Sequence, residues 1–292
     1  MKHAYLIIAH NEIYVLRKLI SFIDDERNDI YLLIDKKVKD KEYYQLHTKK
    51  SNLYYCDGVK IYWGHENQIK AELILFESAW KNGPYMYYHL LSGVCLPIKS
   101  QNYIHEFCRK HCGTQFVGFL TDSFSYQDIE RKTRYYHFFV SNFAKPNLFF
   151  RITRLQGILY KIQRLIGIKR NYDNMTLQKG CNWISVTNDF VDYLMQKKKW
   201  IIKHFHHVLC GDEIFIQTIL WNSRFRYNIY DIDNCYRSAM REIIFQGWHP
   251  LTITINDYDR LKNSECFFAR KFSSKNKDII DKVSELINNS QK

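Results

Sequence analysis

The chain has 292 residues, a formal net charge of +13 and 46% apolar residues, enough for one large α/β domain or two small ones with a real core. So basic a chain seeks anions. No zinc-finger spacing, RNA-recognition signature or basic zipper accompanies the charge, so nucleic acid is set aside in favour of phosphorylated small molecules and an anionic membrane surface.

The first 120 residues alternate strand and helix patterns. Ala4 to Ala9 is a continuous apolar run and reads as a buried parallel strand. It is too short for a signal peptide and ends at His10-Asn11-Glu12, and no later window approaches a membrane span, which points to the cytoplasm of a bacterium. Ile13, Leu16, Ile20 and Ile23 follow at helical spacing. Ile30 to Ile34 predicts a second strand, ending at Asp35, and Val59 to Trp63 a third. Ile69, Leu73, Phe76 and Trp80 mark an amphipathic helix, and Tyr85 to Leu91 a fourth strand closing with Ser92-Gly93. Ile104 to Cys112 predicts a helix and Phe116 to Leu120 another strand. Repeated β-α units of this length predict a doubly wound sheet with its ligand at the carboxyl ends of the strands. His10, Asp35, Trp63-Gly64 and Ser92-Gly93 sit at such ends.

Residues 121–178 lose this rhythm and are basic and aromatic. Phe149 to Arg170 reads as a helix with Leu155, Leu159, Ile162 and Ile166 on one side and Arg151, Arg154, Lys161 and Arg164 on the other, the basic side interrupted by Ile158 and Leu165. Its apolar side either packs on the core or enters the interface of an anionic membrane. Mixed patterns return from 180 to 273, and Ile279, Ile280, Val283, Leu286 and Ile287 predict a last helix. One domain is expected: a nucleotide-binding half (1–120), a variable basic insertion (121–178), a catalytic and acceptor half (179–273), and a C-terminal helix and tail (274–292).

Several chemistries lack their signatures. There is no Gly-x-Gly-x-x-Gly, no phosphate-loop lysine motif and no Gly-x-Ser-x-Gly elbow. The 8 Cys read as free, mostly buried thiols, and Cys108 and Cys112 with His111 offer too few ligands for a structural zinc. His204, His206 and His207 fit no familiar metal-helix spacing and read as a polar loop. Asp231 and Asp233 form an Asp-x-Asp of the kind that holds a divalent cation, but far from the fourth strand, where Ser92-Gly93-Val94-Cys95 stands. No metal is therefore expected.

What remains is compatible with transfer of a sugar carried on a diphosphate. Glu213, beside Asp212, can take a proton from an attacking hydroxyl. Arg241 and Lys271 can hold a departing diphosphate as fixed positive charges. Asp35 can read a ribose hydroxyl or be a solvated turn residue, and His10-Asn11-Glu12 can face a nucleotide or simply cap a helix.

The wording of several blocks narrows this. HAYLIIAHNE, LLIDKK, YWGHENQIKAEL, YYHLLSGVCLPIKS, KGCNWISVTNDFVDYL, GDEIFIQTIL and HPLTITINDYDRLKNSECFFARKF occur in order from about residue 3 to residue 273. In this the chain resembles the core-2/I-branching β-1,6-N-acetylglucosaminyltransferase and peptide O-xylosyltransferase family. The resemblance implies a GT-A type fold, a Rossmann-like mixed sheet flanked by helices with a helical acceptor-side insertion. It implies a single UDP-sugar site, inversion at the anomeric carbon and no obligatory metal or other cofactor. By the same resemblance Glu213 matches the catalytic base, Arg241 and Lys271 the diphosphate pair, and Asp35 the nucleoside-side acid, with His10 beside it. Asn182, Trp183, Trp248 and His249 are candidates for sugar or acceptor contacts. Cys95 stands where the family commonly has Asp, which leaves the donor-sugar contacts open, and Asn182 stands where some xylosyltransferases have an Asp base, which favours Glu213 and counts against xylosyl transfer. UDP-N-acetylglucosamine is the first donor expected, ahead of UDP-xylose, UDP-glucose and UDP-galactose. The acceptor expected is a glycan or lipid-linked oligosaccharide of a bacterial surface polysaccharide. The alternative is a non-catalytic carbohydrate- or nucleotide-binding protein on the same fold.

Overall fold

The structure is a computed structural model that describes residues 1–143, 146–247 and 249–289. It opens with β1 (His3–Ala9), α1 (Ile13–Ile23), β2 (Asn28–Ile34), β3 (Asn52–Cys56), α2 (Asn67–Asn82) and β4 (Tyr87–Ser92). Every residue of β1, β2 and β4 is buried, as expected for parallel strands covered on both faces. After a short β5 (Leu96–Pro97) come α3 (Gln101–Lys110), α4 (Ser123–Thr133) and α5 (Pro146–Leu165). The chain then returns to the sheet as β6 (Ser185–Thr187), followed by α6 (Asn188–Gln196), α7 (Lys198–His204), α8 (Phe215–Trp221) and α9 (Cys235–Ala239). The last part holds β7 (Arg241–Ile243), β8 (Phe245–Gln246), β9 (His249–Pro250), α10 (Tyr258–Asn263), β10 (Phe268–Arg270) and α11 (Lys277–Asn289).

The main sheet has the order β3-β2-β1-β4-β6. Its pairings are parallel except for the antiparallel β6 on β4. This is the expected doubly wound arrangement with a mixed edge. Side chains alternate across β1. Ala4, Leu6 and Ile8 join the core with α2, α6 and α8, whereas Tyr5, Ile7 and Ala9 join α1, α3 and α11 on the other face. A small sheet β5-β10-β7 packs beside the main one and carries the segment that leads to Lys271.

Two strand expectations are corrected. The third strand is Asn52–Cys56, not Val59–Trp63. As an edge strand it is half-exposed, and its apolar run Leu53-Tyr54-Tyr55-Cys56 is only four residues long. The apolar Val59 and Ile61 pack on the core from a loop instead. Phe116 to Leu120 is buried as a strand would be, but among the described residues it makes only isolated bridges, Phe116 with Ser185 and Leu120 with Lys179. Backbones cross tightly here: a Cβ on Gly180 would lie 1.8 Å from the carbonyl oxygen of Gly118.

Candidate active site

The carboxyl ends of β1, β2 and β4 meet at one edge. Asp35 follows β2 and is buried; its Oδ1 accepts the N–H groups of Lys37 (2.9 Å) and Ile61 (3.4 Å). Its Oδ2 lies 3.3 Å from Lys37 Nζ. His10, exposed at the end of β1, shares a pocket with Asp35, Lys37, Val38 and Tyr43. Glu12 takes a left-handed conformation (φ 58°). Its carboxylate accepts from Ser273 Oγ (2.7 Å) and Ser274 N–H (2.8 Å), which draws the segment after β10 onto the β1–α1 turn. Phe272 N–H donates to the Val94 carbonyl (3.0 Å), and Gly93 N–H to that of Ile8 (2.8 Å). Lys271 is thus held in a segment pinned to the ends of β1 and β4, and it makes no ion pair among the described residues.

Arg241 departs from its expected place. It is 1% exposed, and its guanidinium donates to the carbonyls of Ala239 (2.8 Å), Leu90 (3.3 Å) and Ile184 (2.7 Å) and to Ser185 Oγ (3.1 Å). It stacks 4.6 Å from the ring centroid of Phe268, and burial lowers its pKa to about 10. Spent on these carbonyls and on Ser185, the guanidinium ties the small sheet to the main one and lies buried away from any surface on which a diphosphate could sit. Arg270, which motif reading passed over as a donor residue, is partly exposed, with its guanidinium 5.3 Å from the Trp183 ring.

Glu213 ends a 3-10 turn, Gly211–Glu213, that begins after a left-handed Cys210 (φ 47°). Its Oε2 lies 3.3 Å from Lys132 Nζ and 3.4 Å from Lys179 Nζ. Both ammonium groups also meet the buried Asp128, at 2.8 and 2.7 Å. Burial opposes ionisation of Asp128, but hydrogen bonds from Lys132, Lys179 and Arg131 outweigh it and hold that carboxyl well below the usual carboxylate range. Glu213 Oε1 accepts no hydrogen bond among the described residues, and the side chain is 37% exposed. One oxygen is thus oriented by cations and the other is open, the geometry a general base needs.

Under this turn lies a buried acid pair. Glu72 is fully buried on α2, and Asn182 Nδ2 donates to Asp212 Oδ2 at 3.3 Å. Burial, then each one's acidic neighbour, raises both carboxyls above their ordinary values, Asp212 to about 7. Glu72 Oε2, Asp212 Oδ1 and Asn182 Oδ1 are buried without a partner.

The turn is held from outside by the expected Trp-Gly block. The Gly64 carbonyl accepts from Cys210 N–H (2.8 Å), and Glu66 accepts from His207 N–H (2.6 Å). Gly64 has φ +72°, and a Cβ there would come within 3.0 Å of Leu209. His206 leans on Glu66 (3.6 Å), while His204 pairs with Asp173 (3.2 Å). Asp231 spends its Oδ1 on the N–H groups of Asp233 and Asn234 and its Oδ2 on Arg237, so it braces the turn before α9, which Asn234 caps.

The base side and the strand-end side are joined through Arg270, Trp183, Asn182 and Asp212. Trp183 is 8% exposed, which leaves little of its ring for a sugar. His249 stands exposed in the β8–β9 hairpin, and Trp248 lies outside the described residues. The residues that sequence reasoning missed are Asp128, Lys132, Lys179 and Glu72. Asp128 and Lys132 read as a solvated helix face and carried no signal. Glu72 did carry one: it falls on the apolar side of α2 with Ile69, Leu73 and Phe76, where a charge is out of place.

Residues 3–262 match the family model of the Core-2/I-Branching enzyme. The chain belongs to that family. A curated relative, the beta-glucuronosyltransferase GlcAT14B of Arabidopsis thaliana, is 25% identical over 119 residues, 37% of this chain. The matched stretch spans 25% of that relative's length. Among solved structures, apo mouse xyloside xylosyltransferase 1 covers 92% of this chain and 96% of its own, at 9% identity and a TM-score of 0.36. S. aureus TarS 1-349 in complex with UDP-GlcNAc covers 38% of this chain and 32% of its own, at 12% identity and a TM-score of 0.25. Neither structural likeness is close enough to carry an argument about the site.

Proposed function

We propose that this enzyme transfers a sugar, with N-acetylglucosamine the first candidate, from its UDP-sugar to a hydroxyl of a glycan or lipid-linked acceptor, with inversion and without an obligatory metal. Glu213 Oε1 removes the acceptor proton as the hydroxyl oxygen attacks the anomeric carbon. The bond from that carbon to the diphosphate oxygen breaks, and UDP leaves with the electron pair. Asp35 and His10 serve the nucleoside end. Lys271, with Arg270 in place of Arg241, offsets the charge that develops on the diphosphate. Asn182 and His249 remain candidates for sugar and acceptor contacts, and Trp183 contributes at most a ring edge.

The observation that carries this reading is the half-engaged carboxylate of Glu213, clamped by Lys132 and Lys179 on Oε2 and open on Oε1. The setting we propose is bacterial surface-polysaccharide synthesis in the cytoplasm, at the inner face of the cell membrane. Calorimetric titration of UDP-N-acetylglucosamine and UDP in EDTA tests the donor site: saturable binding is expected. Binding of neither, or binding that requires manganese, would overturn the metal-free donor site.

A further inference from the structure

Among the described residues the packed face of helix α5 holds two glutamines beside Ile152. Gln156 is 4% and Gln163 5% exposed, against 84% for Leu165 and 66% for Ile166. Both glutamines dock the helix through backbone groups of the 136–138 segment. Gln156 Oε1 accepts Phe138 N–H (3.1 Å), Gln163 Oε1 accepts Tyr136 N–H (2.8 Å), and both amide nitrogens donate to the Tyr136 carbonyl. Of the apolar side expected to cover the core, Leu155, Ile162 and Ile166 are exposed and Leu159 is only partly covered. Ile158 and Leu165, read as interruptions of the basic side, extend the same exposed stripe at helical spacing. A contiguous apolar stripe on a surface helix calls for an occupant.

The charge around the stripe says which one. Arg151, Arg154, Lys161 and Arg164 are exposed beside it. No Asp or Glu occurs between Glu130 and Asp173. A second copy of this face would set these cations against their own kind. An anionic bilayer instead accepts the apolar stripe among its acyl chains and the cations at its headgroups. No helix among the described residues is long and apolar enough to cross a membrane, so the contact is an interfacial one. The 136–138 segment that α5 grips follows directly on α4, whose Asp128 and Lys132 bracket Glu213. His137 N–H also donates to the His207 carbonyl (2.9 Å) in the loop that leads into the catalytic turn.

We infer that α5 is the membrane-docking element, lying in the headgroup region of an anionic leaflet and placing the Glu213 turn near its surface. This rests on the function proposed above only for the use made of the docking, since the docking can be measured with no sugar present. Flotation of the purified full chain with vesicles of phosphatidylglycerol and phosphatidylcholine, and of phosphatidylcholine alone, is the test. Wild type should float with the anionic vesicles only. Each basic residue near such a surface is worth roughly fivefold in partitioning, so Arg154→Glu with Lys161→Glu should lower binding by more than tenfold. Ile162→Asp with Leu165→Asp should abolish it. Both double variants should bind UDP as wild type does, because the altered side chains are exposed and outside the site. Thus loss of UDP binding by wild type indicts the donor reading, and failure to float indicts the docking. Wild type that stays soluble with both vesicle types, or apolar variants that float normally, overturns the inference. So does a dimer by light scattering that Ile162→Asp dissolves, for then a second copy covers the stripe.

Discussion

The strand-end region and the base turn are built on opposite principles. His10 and Asp35 stand where buried strands run out, and each is positioned by chain neighbours that any parallel sheet would supply. Glu213 is positioned by side chains and carbonyls from far along the chain: Gly64, Lys132, Lys179 and, beneath it, Glu72 with Asp212. The strand ends need only the right residue after the right strand. The turn needs several long-range contacts at once, so the placing of the Glu213 carboxylate should be more sensitive to distant substitutions than that of Asp35.

The sharpest way to test this contrast is at Glu213. Glu213→Gln should lower turnover by roughly two to four orders of magnitude, the range for a positioned general base, with UDP affinity unchanged by calorimetry. Near-normal turnover would shift the base to Asp212 and remove the reason for the lysine clamp. Next in size is Arg241→Met. It removes the buried hydrogen bonds to Ala239, Leu90, Ile184 and Ser185 and should cost about 3 kcal/mol or more in urea unfolding, with UDP affinity in the surviving fold close to wild type. An affinity loss without a stability loss would return Arg241 to the diphosphate.

Lys271→Ala should show the converse. Removing a charge-assisted contact should weaken UDP binding by about 1.5–3 kcal/mol with little change in melting temperature, and wild-type turnover should persist in EDTA. If EDTA abolishes turnover and manganese restores it, Lys271 is not the main counter-charge. The smallest effect is a pH slope. The folded chain holds the protons of Asp212 and Glu72 above the pH at which the unfolded chain releases them, since burial raises both. Stability should therefore fall as pH rises from about 4 through 7, by at most about 1.4 kcal/mol per pH unit for each proton. Asp212→Asn should flatten part of this fall, and Glu72→Gln added to it the remainder. Identical denaturation slopes between pH 5 and 8 in wild type and the double variant would show that the pair is not protonated in the fold.

The expectations that came true are those that short-range physics can write into a sequence. Burial on both faces requires the unbroken apolar runs of β1, β2 and β4, and helical spacing requires the pattern of α1 and α2, so these could be read directly. Glu213, Asp35 and Lys271 were named as candidates because they lie inside recurring blocks of wording. The edge strand Asn52–Cys56 was missed because its short run Leu53-Tyr54-Tyr55-Cys56 stands beside the apolar Val59 to Trp63, which reads as a strand as well.

Neither the fate of Arg241 nor the facing of α5 could be read from periodicity. Arg241 looks in sequence like any cation before a strand. Only the tertiary structure shows that its guanidinium is buried against the carbonyls of Ile184 and Leu90, which lie far from it in the chain. Helical periodicity told which residues of α5 share a side, but not which side the fold would cover. Hydrogen bonds from Gln156 and Gln163 to an irregular segment decided that, and irregular backbone has no period from which its needs can be read. The sequence by itself determined the sheet and the family, and it named Glu213 as the candidate base. Tertiary contact alone determined which cations are free to meet a ligand and which apolar face is left for a partner, because both depend on backbone groups brought together from distant parts of the chain.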